Sequence, residues 1–283
     1  MVFQYPEHPA SRWALLNQAE RDAAYNNSAA VVNSADLVKA RNDASAAYRA
    51  AHPDALDLAY GPSAREAWDI YPGKAAEAPC FVFIHGGYWQ AGSRENFACL
   101  AAGLAAHGWT VALPGYTLAP EADLQRIRDE IFRALDWLAG HGGQYRAGGR
   151  IIVSGWSAGG HLAALALAHP AVQAGLALSG VFELAPIRDT YLNTKLRLSD
   201  AEIATLSPQR LDVVHKPLAI AYGSREVPAL VEDSRAFHAK RAAAHAPGSL
   251  IPVAGADHFT ILDQLRRPDG LLTRAALDLA QGL

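Results

Sequence analysis

Sulfur is scarce in this chain. Its 283 residues include two cysteines, Cys80 and Cys99, and one methionine. Two cysteines in so long a chain are not a disulfide framework, so the fold must rest on its core, and nothing points to an oxidising compartment. Cys80 opens an apolar run and Cys99 sits among alanines and leucines, so both read as small buried hydrophobes. Two isolated cysteines cannot close a zinc site, and H-E-x-x-H is absent, so neither a metal nor a cofactor is expected. An excess of one charge is also lacking, with 25 Lys and Arg against 28 Asp and Glu and a net charge of -3. Without a Lys/Arg cluster, neither nucleic acid nor an anionic membrane surface is an expected partner. No apolar run approaches the ~20 residues needed to span a bilayer, and "LAALALAHP" soon ends in His169 and Pro170. The opening "MVFQYPEHPASRW" has no basic region followed by an apolar one, so no signal peptide is read there and the expected location is cytoplasmic.

What is present is an ordinary globular composition, 51% hydrophobic and 19% charged, enough for one large domain or two small ones. Residues 1–54 differ from the rest. "RWALLNQAERDAAYNN" and "SADLVKARNDASAAYRAAHP" read as two polar-faced helices with too little apolar surface for a core of their own. They are expected to form an extension packed on a main domain of residues 55–283. That domain begins with a strand pair in "LDLAYG" and "EAWDIYPG". Short apolar runs follow at 80–84, 109–113, 150–154, 174–179, 217–222 and 249–253. Helical stretches lie near 94–107, 121–140, 158–169, 229–244 and 260–280. Continuous apolar strands separated by helices predict an α/β fold, a mostly parallel sheet covered on both faces. Residues 182–212 interrupt the alternation and read as a helical, lid-like insertion. In such a sheet ligands bind beyond the carboxyl ends of the strands, so the chemistry belongs there.

"IIVSGWSAGGH", residues 151–161, is the strongest local signal. A strand, then Gly155-Trp156-Ser157-Ala158-Gly159, then a helix is the G-x-S-x-G nucleophile elbow in its required context. The strained turn lifts the serine Oγ above the sheet, and the flanking small residues keep the turn free of clashes. Ser157 needs a base, and there are 11 histidines. His107, His141, His169, His238 and His245 fall at helix ends or on polar helix faces and read as solvated. His258, in "PVAGADHFTIL" between the last strand and the last helix, stands where the chain order Ser, acid, His places the base. The acid should follow the penultimate strand. Glu226 fits, with Asp233 as the alternative, although Asp233 reads more simply as a surface charge farther into a helix. Asp257 is too close in sequence to His258, and Asp212 precedes the strand. The acid's task is to fix the imidazole tautomer and stabilise the imidazolium. Donors for the oxyanion are expected from the N–H of Ala158 and from "HGGYW", where Gly86 and Gly87 let the backbone approach, so the N–H groups of Gly87 and Tyr88 should point at the reacting carbonyl. His85 is expected to brace that loop rather than to move protons. Trp89, Trp156, Tyr116 and Phe259 neighbour these elements and together suggest a wall for a flat apolar group, although packing is at least as good a reading of Tyr116.

With HGGYW, GWSAGGH, GSRE and ADHF in this order, the chain resembles the kynurenine formamidase (arylformamidase) group of α/β-hydrolases, close to the esterases related to hormone-sensitive lipase. The resemblance extends to "ERDAAYNN", "LAYGPSAREAWDIYPG" and "LSGVFELAPI". Those lipase-like esterases usually carry HGGG, and here Tyr88 takes the place of the third glycine. The resemblance implies Ser157 as nucleophile, His258 as base, and Gly87, Tyr88 and Ala158 as oxyanion donors. Many relatives have Asp where this chain has Glu226. The expected function is therefore a serine hydrolase that removes a small acyl group, formyl included, from an aromatic amide of the N-formylkynurenine type. A short-chain carboxylesterase is the alternative, and a ligand-binding protein on a hydrolase scaffold is the third class. The expected partner is a small aromatic amide or ester, with a homodimer as the default assembly. An imidazole must be neutral to accept the serine proton, so activity should fall as pH drops through the ordinary imidazole range, roughly 6–7.

Overall fold

The computed structural model describes residues 13–282. The opening stretch read for a signal peptide, and with it the first part of the expected extension, lies outside the described residues. Within the described residues, helices α1 (Gln18–Ala24), α2 (Asn27–Ala30) and α3 (Ser34–Ala51) come before the sheet. The expected first helix is broken, because Asn17 starts α1 afresh with a reciprocal capping box to Glu20. Strands β1 (Leu58–Ala59), β2 (Ala67–Tyr71) and β3 (Cys80–Ile84) follow, and then α4 (Ala101–Ala106), β4 (Thr110–Pro114), α5 (Leu124–His141), β5 (Ile151–Trp156), α6 (Ala158–Ala166) and β6 (Val172–Leu178). Short helices α7 (Ala185–Arg188), α8 (Asn193–Leu196) and α9 (Asp200–Leu206) occupy the interrupting segment. The chain ends with β7 (Leu218–Gly223), α10 (Pro228–Ala243), β8 (Leu250–Val253), α11 (Asp263–Arg266) and α12 (Leu271–Gln281).

The strands form one eight-stranded sheet in the order β1-β2-β4-β3-β5-β6-β7-β8. β2 is antiparallel to both β1 and β4, and every pairing from β4 to β8 is parallel. Alternation along the strands divides the core. Phe81, Phe83, Ile152 and Leu176 face a layer containing Phe97, Leu104, Leu262 and Leu272. Val82, Ile84, Val153 and Ala177 face the opposite layer with Ile127, Ile131, Leu135 and Leu162. Each such large side chain contributes about 1.5–3 kcal/mol by leaving water. On α5 the buried residues Leu124, Ile127, Ile131, Leu135 and Leu138 fall on one helical stripe. Both cysteines are buried free thiols, and burial pushes that of Cys80 up to about 12.

Two helical expectations are corrected. Residues 94–107 begin as a 3-10 helix, Arg94–Leu100, before α4. Residues 260–280 do not form one helix; a 3-10 turn and α11 end before Pro268 and Gly270, and α12 starts anew. Among the described residues no helix is long and apolar enough to cross a membrane.

The segment before β1 is attached at two places. At the back, Arg49 on α3 and Arg94 both pair with Asp69 of β2, at 2.6 Å and 3.0 Å, and Asp69 is fully buried. Ser45 donates to the Asn96 carbonyl and accepts from the Cys99 amide. At the front, Trp13 Nε1 and Gln18 Nε2 donate to the side chain and carbonyl of Asp189, and Asp22 accepts from the Tyr191 amide. The loops after β3, β5, β6, β7 and β8 all leave from the carboxyl edge of the sheet. They carry His85 to Trp89, Ser157, Ser179, Glu226 and His258.

Candidate active site

Ser157 sits at the junction of β5 and α6 with φ 58° and ψ -119°, a strained conformation for any residue with a side chain. The elbow can be this tight because of Gly159, where a Cβ would stand 2.0 Å from the Ile84 carbonyl oxygen. Ser157 is 2% exposed and His258 3%. His258 is held on several sides. Its carbonyl accepts from Trp156 Nε1 at 2.8 Å, and the Trp156 ring packs on its imidazole with centroids 4.7 Å apart. Asp257 shapes the same loop by accepting from the amides of Phe259 and Thr260.

Glu226 Oε2 lies 2.8 Å from His258 Nδ1. A carboxylate there makes Nδ1 the protonated ring nitrogen, which leaves Nε2 with the lone pair that can accept a proton. The other carboxylate oxygen, Oε1, accepts from the Gly223 amide at 2.6 Å and from Ser179 Oγ at 2.5 Å. The carboxylate is thus fixed on both edges. Ser179 is fully buried at the end of β6 with φ 48°, and the sequence reading did not single it out. A serine that closes the strand-end "LSG" is the one cue the sequence offers. No hydrogen bond joins Ser157 Oγ to His258 Nε2 among the described residues; contacts of this kind often tighten only when substrate binds.

The loop after β3 reverses sharply. Gly87, Tyr88 and Trp89 have φ of 118°, 49° and 57° in succession. Left-handed backbone costs a non-glycine residue about 1–2 kcal/mol, so this loop stores strain. A Cβ on Gly87 would lie 2.2 Å from the Ala91 carbonyl oxygen, and one on Gly86 would lie 3.1 Å from Ser157 Cβ. Among the described residues the N–H groups of Gly87, Tyr88 and Ala158 donate to no backbone acceptor. His85 stacks on Tyr116 at 4.2 Å and its Nδ1 meets the Gly86 carbonyl. Burial pushes its pKa down to about 3, so it is neutral and braces the loop.

The expected aromatic wall is corrected in part. Trp89 has no accessible surface and points inward, edge-on to His161 at 5.1 Å. Tyr116 is equally buried, its hydroxyl on the His85 carbonyl. Neither can touch a ligand in this arrangement. Trp156, 5% exposed, braces His258, and Phe259 is half-buried beside it. Asp233 does not approach His258. It accepts from the Phe182 and Glu183 amides, and although only partly buried it is pushed up to about 7, first by desolvation and then by the nearby Glu183. It is therefore not a simple surface charge. His169, expected to be solvated, is buried against Asp136 and Phe132. An open groove of about 570 Å³ lined by Tyr48, Cys99 and Arg266 contains none of the expected site residues.

Comparison with known proteins places this geometry in context. A family described as alpha/beta hydrolase fold matches residues 81–264. A kynurenine formamidase of Danio rerio is 27% identical over 79% of this chain and 81% of its own length. An esterase of Gibberella moniliformis is 29% identical over 71% of this chain and 73% of its own. The crystal structure of a putative thioesterase from Silicibacter sp. TM1040 superposes with a TM-score of 0.82 at 27% identity, covering 90% of this chain and 98% of that one.

Proposed function

The chain belongs to the alpha/beta hydrolase fold family, and from that premise we propose a serine hydrolase that cleaves a small acyl group, formyl first among them, from an aromatic amide. The observation that carries this reading is the Glu226–His258 contact of 2.8 Å beside a strained serine elbow. Ser157 Oγ attacks the acyl carbon while its proton passes to His258 Nε2. Glu226 keeps the imidazole in the right tautomer and stabilises the imidazolium. The carbonyl oxygen gains negative charge and meets the N–H groups of Gly87, Tyr88 and Ala158. Each such donor is worth roughly 3–4 kcal/mol of transition-state stabilisation. The C–N bond then breaks, and the His258 proton goes to the departing amine. Water attacks the acyl-serine, gives a proton to His258, and releases the acid, formate for a formyl group, as Ser157 recovers its proton. The enclosed serine suits a small acyl group, and the relative named a kynurenine formamidase supports an aryl amide with N-formylkynurenine as the first substrate to try.

A relative named an esterase favours a second reading, hydrolysis of short-chain esters by the same steps. Matched aryl formamides and aryl esters, assayed with wild type and Ser157→Ala, separate the two. The expected result is measurable formamide turnover that falls at least ~10⁴-fold in Ser157→Ala. Ester turnover alone would replace the first reading by the second. Unchanged turnover in Ser157→Ala would end both.

A further inference from the structure

The loop that carries the proposed oxyanion donors is secured unevenly. Its strained run has firm ends. Gly87's carbonyl accepts from the amides of Gln90 and Ala91, both at 3.0 Å, and Trp89's carbonyl accepts from Ala119 at 2.8 Å. Tyr88, between them, makes no backbone hydrogen bond among the described residues. Its side chain carries the restraint. The Tyr88 hydroxyl donates to the Tyr25 carbonyl at 2.7 Å and receives Asn27 Nδ2 at 2.9 Å. The proton assignment is forced, because a carbonyl only accepts. The single phenol proton goes to Tyr25, so Asn27 must donate. Asn27 is 4% exposed, and its Oδ1 is buried without a donor. An unmatched buried acceptor disfavours this placement, yet the side chain stays aimed at Tyr88. Both partners belong to the segment before the sheet.

We propose that this segment is part of the catalytic apparatus: Asn27 and the Tyr25 carbonyl clamp the Tyr88 hydroxyl and thereby hold the strained backbone whose N–H groups receive the oxyanion. Asn27 is a positioning residue, because it touches the loop and not the reacting atoms. The inference rests on the serine-hydrolase reading above. It assigns the segment a role in the chemical step rather than in covering the cleft. Loosening the clamp lets the Tyr88 N–H leave its place, which weakens binding of the transition state more than binding of the substrate.

The test uses the full chain with Asn27→Ala, Tyr88→Phe and the double variant, each checked for folding by its thermal transition. Two readouts are taken: the rate at which a fluorophosphonate labels Ser157, since its phosphoryl oxygen occupies the oxyanion position, and steady-state hydrolysis of an aryl ester. Each single variant should lose about tenfold in labelling rate and in kcat, with KM changed less than twofold. The double variant should lose no more than Tyr88→Phe alone, because Asn27 reaches the loop through the Tyr88 hydroxyl. Wild-type labelling rates in the folded variants would overturn the proposal, as would losses that multiply or appear only in KM. If Tyr88→Phe does not fold, the Asn27→Ala labelling rate decides alone. Failure of wild type itself to label would instead end the serine-hydrolase reading.

Discussion

Ser179 donates to the Glu226 carboxylate from the end of a different strand, a contact that the sequence hides. Glutamate carries one methylene more than aspartate, and that extra reach must be restrained. The Ser179 hydroxyl and the Gly223 amide meet the same carboxylate oxygen, leaving the other for His258. Replacing Ser179 by Ala should lower kcat about tenfold, ~1.4 kcal/mol, with KM little changed, because that oxygen keeps the Gly223 amide but loses its second donor. Steady-state kinetics beside a thermal melt checks this. Ser179 and Glu226 lie 47 residues apart, and no local spacing links a serine at one strand end to an acid after the next. That Ser157, Glu226 and His258 each follow a strand was legible from the order of the apolar runs. The direction of the Trp89 ring was not, since an aromatic after two glycines reads alike whether it faces in or out. Only the run of left-handed φ values turns it into the core.

Elements were legible where periodicity was continuous. The strands from β3 to β8 lie within two residues of their apolar runs, because a sheet buried on both faces demands such runs. The helices were less so. Pro268 and Gly270 were present in the sequence, but the surrounding leucines and alanines kept the helical texture across the break. Asp233, on α10, shows how a helix can be tied to an irregular segment, since its carboxylate accepts the first amides of the interruption after β6. Its raised folded pKa means the native chain binds this proton more tightly than the unfolded one between about pH 4 and 7. Stability from this group is therefore present at low pH and lost as pH rises through that window. Asp233→Asn keeps an acceptor without the titration. It should be less sensitive than wild type to raising the pH from 5 to 8, as measured by urea midpoints at the two values.

At the scale of the molecule the buried histidines act in the opposite sense. His161 is sealed beneath the elbow with Nε2 on the Leu206 carbonyl, and burial pushes it from the ordinary 6.5 to about 4. The unfolded chain then binds the proton more readily, so stability is complete above about 6.5 and is lost as pH falls toward about 4. His85 adds to the same slope, down to about 3. His161→Gln, which can still donate to Leu206, should retain more of its neutral-pH stability at pH 4.5 than wild type, read from urea midpoints at pH 7 and 4.5. The alternation of strands and helices made the fold class readable, since it follows from covering both faces of one sheet. How the first segment seats on that sheet was not readable, because it depends on Arg49, Asp69 and Asn27 meeting partners remote in sequence. The two attachments of that segment differ in kind. The rear one holds a fully buried carboxylate between two guanidinium groups, where salt screens little. The front one combines the buried Tyr25 and Asn27 contacts to the Tyr88 hydroxyl with a seam of hydrogen bonds near the surface around Asp22 and Asp189. The segment is therefore held by contacts of unequal burial. Local opening of a few residues draws on far less free energy than global unfolding, so the exposed seam should open before the buried ion pair does.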